Sequence, residues 1–261
     1  HISTGLKQNK FGINIEKSRE EYRRAQRLSN IDIIGVDCNI GSQITEIAPF
    51  IDALERLKDL IARLREDGIA VRFLDLGGGL GISYNEETPP HPEDYARAII
   101  ERAKDIGCTF IFEPGRVIVG NAGVLVSRVL YVKTNADKNF VVVDAGMNDL
   151  IRPSLYGSYH GIVPVRGNEK GMLTADVVGP ICESGDFFAR AREMGRVDRG
   201  DLIAVKSAGA YSFSMSSNYN SRPRAAEVLV RKDRFEVIRE RETYDDLVRG
   251  ERIPDFVGGL N

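Results

Sequence analysis

Tryptophan is absent from the 261 residues, and cysteine and histidine occur three times each. Cys38, Cys108 and Cys182 are odd in number and show no CxxC spacing, so neither a disulfide framework nor a zinc site is expected, and the thiols should be free. Long apolar runs are also missing. Charge or glycine interrupts every stretch well before the ~18 residues a membrane span needs, and the start is polar rather than signal-like, which reads as a cytoplasmic chain. Nor does one sign of charge dominate. Lys and Arg (36) nearly balance Asp and Glu (38), with no basic stripe interleaved with aromatics, which argues against a nucleic-acid partner. What remains, 42% hydrophobic and 28% charged residues, suits one large domain or two smaller ones.

Up to about Gly120, short apolar runs (Lys10 to Ile13, Ile31 to Cys38, Ala70 to Leu76, Thr109 to Phe112) alternate with three helical patterns. The first helix is expected to open at Ser18 with Glu21 completing a capping box. The second carries Ile47, Phe50, Ile51, Leu54, Leu57, Ile61 and Leu64 at helical spacing and ends near Asp67-Gly68. The third starts with Pro92 and runs to Ile106-Gly107. Such alternation predicts parallel strands covered by helices, a βα-barrel or doubly wound sheet. After Gly123, short β-branched runs (Val124 to Val132, Phe140 to Asp144, Ala175 to Val178, Leu202 to Lys206, Ala226 to Val230, Phe235 to Arg239) predict an antiparallel barrel or sandwich. The expected division is residues 1–120 and 121–261. Four βα strands do not close an eight-stranded barrel, and His1 is not an initiator Met, so the chain is expected to be the second half of a longer protein.

Three polar strings follow predicted strands and so belong at the C-terminal rim, where barrels place chemistry: Cys38 to Ser42, Gly77 to Gly81, and Glu113-Pro114-Gly115-Arg116. The glycines would let backbone amides approach phosphate oxygens. Ile82 stands where GxGxxG needs its third glycine and no GK[ST] follows, so a dinucleotide or nucleotide site is not expected. Glu113 at a strand end calls for a cationic partner, either Arg116 or a protonated ring nitrogen. Cys182-Glu183-Ser184-Gly185-Asp186, Arg152 with Tyr156, and Ser207 to Tyr211 add a thiol, carboxylates, a guanidinium and phenols, the inventory of proton transfer on a charged small molecule. Ser216 to Pro223 suggests a binding or interface loop. His160 has no nucleophile at a triad spacing and reads as a structural hydrogen-bonding residue. Arg231 to Arg252 reads as a strand followed by a solvated helix.

Together with Ile2 to Leu6, Leu76 to Ile82, Val143 to Pro153 and Arg241 to Tyr244, these strings resemble the diaminopimelate decarboxylases, pyridoxal-phosphate (PLP) enzymes of lysine biosynthesis. The resemblance implies the second half of a PLP-binding (β/α)8 barrel followed by a C-terminal β-barrel or sandwich domain, and a homodimer with shared active sites. It implies that Ser42, Gly78, Gly79 and the Gly115-Arg116 amides hold the phosphate, that Pro114 belongs to the same cofactor-binding turn, and that Glu113 faces the pyridine nitrogen. Arg116, Arg152 and Tyr156 would hold the far carboxylate of the substrate, Glu183 its ammonium, and Tyr211 both phosphate and substrate. Cys182, donated with Glu183 by the partner subunit, would protonate Cα after carbon dioxide leaves. Two departures stand out. The family's Schiff-base lysine has no match here, so the isolated chain is expected to be inactive, and Asn39 replaces a histidine that stacks on the cofactor. A non-catalytic homologue with a regulatory or binding role, or a decarboxylase of another basic amino acid, are the alternative readings.

Overall fold

In the computed structural model, residues 10–167 and 171–257 are described. The Ile2 to Leu6 string lies outside them. The chain divides into two compact units, His1–Ala122 and Gly123–Asn261.

The first unit is built on three short parallel strands, β1 (Gly35–Asp37), β2 (Phe73–Asp75) and β3 (Thr109–Ile111), hydrogen-bonded in that order. The helix α1 (Ile15–Ala25) precedes β1, α2 (Ala48–Glu66) and α3 (Pro92–Ala103) join successive strands, and α4 (Arg116–Val119) follows β3. The apolar stripe of α2 buries Phe50, Leu54, Leu57, Ile61 and Leu64 against Val36 and Leu74 of the strands and Ile99 of α3. Gly68, at φ +78, ends α2 in the left-handed conformation that glycine adopts without strain. Asp67 at that end accepts from both Arg19 (2.7 and 2.8 Å) and Arg23 (2.8 and 2.6 Å), tying α1 to α2.

Three local expectations need correction. Lys10 to Ile13 forms no strand, because Gly12 at φ +67 breaks the extension just before α1. Asn14, not Ser18, caps α1: its Oδ1 accepts from Glu16 N at 3.0 Å, whereas Ser18 is inside the helix and donates to Ile15 O at 2.6 Å. The third helix begins at Pro92 with His91 as cap but stops at Ala103, short of the positive-φ Gly107.

The second unit holds β4 (Leu125–Asn135), β5 (Lys138–Val143), α5 (Arg152–Tyr156), β6 (Ile162–Pro164), β7 (Met172–Val178), β8 (Phe187–Gly195) and β9 (Leu202–Val205), then the hairpin β10 (Glu227–Arg231) and β11 (Arg234–Arg239) and the short α6 (Tyr244–Leu247). Six strands form one sheet in the order β6-β9-β4-β5-β7-β8. It is mixed rather than purely antiparallel, because α5 and β6 intervene between β5 and β7 and return the chain in a parallel sense. Val129, Val141, Val143, Val177, Phe188, Ile203 and Val205 form its core. Strands β6 and β8 carry no run that sequence patterning singles out. In β8, Arg190, Arg192 and Glu193 interrupt the apolar residues, yet Phe188, Ala189 and Met194 are buried.

Candidate functional site

In the first unit the strand ends gather the three polar strings. Backbone bonds lace them together: Cys38 N to Asp75 O (3.1 Å), Glu113 N to Gly77 O (2.9 Å) and Ile44 N to Gly79 O (2.9 Å). The glycines permit this approach. A Cβ on Gly78 would lie 2.2 Å from Glu113 O, one on Gly77 2.5 Å from Cys38 O, and one on Gly79 2.6 Å from Gly41 O. Loop-to-loop packing therefore requires the run, whatever else its amides do. Asn39 turns its own loop by accepting from Gly41 N at 3.0 Å.

Arg116 is 6% exposed and opens α4. Its guanidinium donates to Ser42 Oγ (2.8 Å), Tyr84 Oη (3.1 Å) and Gln43 Oε1 (3.4 Å), so the described contacts of Arg116 gather the rim rather than pair it with Glu113. Because Arg116 donates to Ser42 Oγ, that oxygen acts as the acceptor of the pair and the hydroxyl proton is directed away from the guanidinium. Gln43 is itself fixed at both ends by Ile82, donating to its carbonyl (2.6 Å) and accepting from its amide (3.2 Å).

A second feature of the rim was not legible from motifs. The carboxylates of Asp37, Asp75 and Glu113 each place an oxygen within 4.8 Å of the others. Register is the cause, since Asp37 pairs with Asp75 across β1 and β2, and Glu113 lies two residues beyond Ile111, the partner of Asp75. Burial first, and the neighbouring Asp75 second, push the Asp37 carboxyl above its ordinary range. Burial likewise raises the Cys38 thiol, with Asp37 adding to it, which makes Cys38 a poor nucleophile. Such a cluster is suited to a cationic group; the usable sequence signal was an acidic residue at the end of each apolar strand.

In the second unit, Asp186 organises the turn that carries Cys182 and Glu183. It is buried, and its Oδ1 and Oδ2 accept from Met147 N (2.6 Å) and Ile181 N (2.7 Å). Burial raises its carboxyl despite these two bonds. Cys182 and Glu183 are exposed, with Glu183 Oε1 accepting from Gly185 N at 3.0 Å. Ser154 of α5 donates to Gly185 O at 2.5 Å, so the turn is fastened to the helix that bears Arg152 and Tyr156. Arg152 is buried and Tyr156 is exposed. Tyr211 is exposed at φ +57, a conformation rare for a bulky side chain and one that clusters at functional sites. The Ser216 to Pro223 segment is pinned within the unit, Ser217 N donating to Asn148 O (2.9 Å) and Arg222 Nε to Asn148 Oδ1 (3.0 Å). Cys38, Cys108 and Cys182 are free thiols, and no helix among the described residues is long and apolar enough to cross a membrane.

Comparison with known proteins gives the family. Residues 1–120 match the pyridoxal binding domain of pyridoxal-dependent decarboxylases, and residues 95–209 match their C-terminal sheet domain. The chain is 54% identical over 249 residues to a diaminopimelate decarboxylase of Haemophilus influenzae, covering 95% of this chain and 60% of that protein. Identity is also 54% with one from Pseudomonas aeruginosa (97% and 61% covered). The crystal structure of the Helicobacter pylori diaminopimelate decarboxylase complexed with L-lysine superposes with a TM-score of 0.87 at 42% identity, over 95% of this chain and 62% of that one. The chain thus spans about 60% of the length of the curated relatives it matches. By two matched domains, by identity and by fold, the chain belongs to the pyridoxal-dependent decarboxylases.

Proposed function

We propose that the chain serves a cytoplasmic, homodimeric PLP-dependent carboxy-lyase whose full-length form converts meso-2,6-diaminopimelate to L-lysine, the last step of lysine biosynthesis, and that without a match to the family's Schiff-base lysine the isolated chain is inactive. The observation that carries this reading is the chemical polarity of the rim. Hydroxyl and backbone donors at Ser42, Gly78, Gly79 and the Gly115-Arg116 amides suit a phosphate dianion, with Pro114 shaping the turn. The Asp37, Asp75 and Glu113 carboxylates suit a protonated pyridine. The residues present therefore fit PLP, which when bound withdraws the electron pair left as carbon dioxide departs.

Glu113 holds the ring nitrogen protonated, and the nearby Asp37 and Asp75 strengthen the negative field there. Arg116, Arg152 and Tyr156 bind the carboxylate that is retained, a planar guanidinium matching it two-pronged. Glu183 receives the ammonium beside it, and Tyr211 touches phosphate and substrate. Cys182, acting with Glu183 in the partner subunit, delivers a proton to Cα. Selectivity follows, because ornithine and arginine offer no second carboxylate to the Arg152 end and would leave buried cationic donors unmatched.

The full-length holoenzyme supplied with meso-diaminopimelate should release carbon dioxide and L-lysine in equal amounts and leave ornithine untouched, whereas the isolated chain should release neither. Faster turnover of ornithine would assign it instead to another basic amino acid. PLP binding by the full-length protein without turnover of either would refute catalysis in favour of a binding role.

A further inference from the structure

His160 has no solvent exposure and Arg152 is 3% exposed. Nδ1 of His160 lies 2.8 Å from the carbonyl oxygen of Lys206, which can only accept, so Nδ1 carries the ring proton. Nε2 lies 3.3 Å from Nη1 of Arg152, which can only donate, so Nε2 presents its lone pair. Two contacts thus select one neutral tautomer. The surroundings hold the ring still. Lys206 N donates to Gly161 O (2.8 Å), the Arg192 guanidinium donates to His160 O (2.8 Å), and that guanidinium lies 3.9 Å from the centre of the Tyr159 ring.

We propose that His160 is a positioning residue that sets the plane of the Arg152 guanidinium toward the retained carboxylate of the substrate. The proposal rests on the substrate role given to Arg152 above. A carboxylate would also orient the fork, but it would neutralise the charge that the substrate must meet. A neutral imidazole, locked as an acceptor by the Lys206 carbonyl, orients one N–H and adds no negative charge of its own. Ser154, two residues along α5, is bonded to Gly185 of the Cys182 turn, so the helix is anchored independently of His160.

Two variants separate positioning from mere packing. His160→Asn keeps an N–H near Lys206 but is too short to reach Arg152, whereas His160→Gln is long enough to offer Arg152 an amide oxygen. The probes are L-lysine, which keeps the carboxylate, and cadaverine, which lacks it, titrated calorimetrically into the PLP-loaded full-length protein. His160→Asn should weaken L-lysine binding about tenfold or more, as expected for a hydrogen bond to a charged group, while cadaverine changes less than about twofold. His160→Gln should recover most of the L-lysine affinity. Equal losses for both ligands, or no recovery by Gln, would overturn the proposal. Failure of the wild-type protein to bind L-lysine would instead sink the substrate role of Arg152. Nitrogen NMR of wild-type His160 needs no variant: a protonated Nδ1 with unprotonated Nε2 is expected, and a protonated Nε2 would overturn the contact itself.

Discussion

Gly179→Ala probes whether Asp186 holds the Cys182 turn in place. A Cβ at position 179 would lie 2.3 and 2.5 Å from the two carboxylate oxygens of Asp186 and 2.7 Å from its Cγ. The backbone at 179 is not in the left-handed region, so the cost is one of space rather than of dihedral strain. Relief requires the carboxylate to retreat by roughly 1 Å, which carries its bonds to Met147 N and Ile181 N out of the ~2.7–3.2 Å hydrogen-bonding range. Each bond to a charged group is worth about 1.5–3 kcal/mol. Because the turn shares the displacement, a net loss of about 2–4 kcal/mol is expected, within the range of the larger single-mutant effects. Urea denaturation followed by circular dichroism measures it directly. The same substitution in an Asp186→Ala background meets no carboxylate, so its additional cost should fall below about 1 kcal/mol. A loss under about 0.5 kcal/mol in the parent, or an undiminished loss in the Asp186→Ala background, would refute the reasoning.

Two further outcomes are expected. Hydrogen bonds from Arg19 and Arg23 hold the Asp67 carboxyl below the usual carboxylate range, so its contribution to folding is present above about pH 5 and lost as pH falls through about 4 and below. Asp67→Asn should lower the thermal midpoint at pH 7 and flatten the acid-induced decline; an unchanged acid slope would exclude the clamp. Tyr84→Phe removes the buried acceptor at 3.1 Å from Arg116, so the protein should lose about 1.5–3 kcal/mol in urea and bind PLP more weakly through a less well-held Ser42. Unchanged stability and PLP affinity together would show that Arg116 needs no help from the phenol.

Legibility from sequence follows the range of the interaction. The stripe of α2 and the strand runs were readable because burial repeats along the chain with the period of the element itself. In β8 the apolar residues Phe188, Ala189 and Met194 flank exposed charge, and only pairing with β7 reveals the strand. Ser18 misled for a related reason. Its spacing to Glu21 is that of a capping box, but Asn14 lies four residues earlier, its side chain already accepts from Glu16 N, and α1 therefore begins before Ser18.

The polar strings were legible as candidates because each sits on one continuous loop. What they could not announce are pairings between loops: Asp37 beside Asp75 through strand register, Tyr84 and Gln43 around Arg116, and His160 against Arg152. His160 and Arg152 are only eight residues apart, yet no local rule joins them. The tautomer that makes the contact useful is fixed by Lys206, 46 residues further on. A side chain that reads as structural in sequence can therefore set the chemistry of a neighbour, because the donor or acceptor state of an imidazole belongs to its fold environment rather than to its place in a motif.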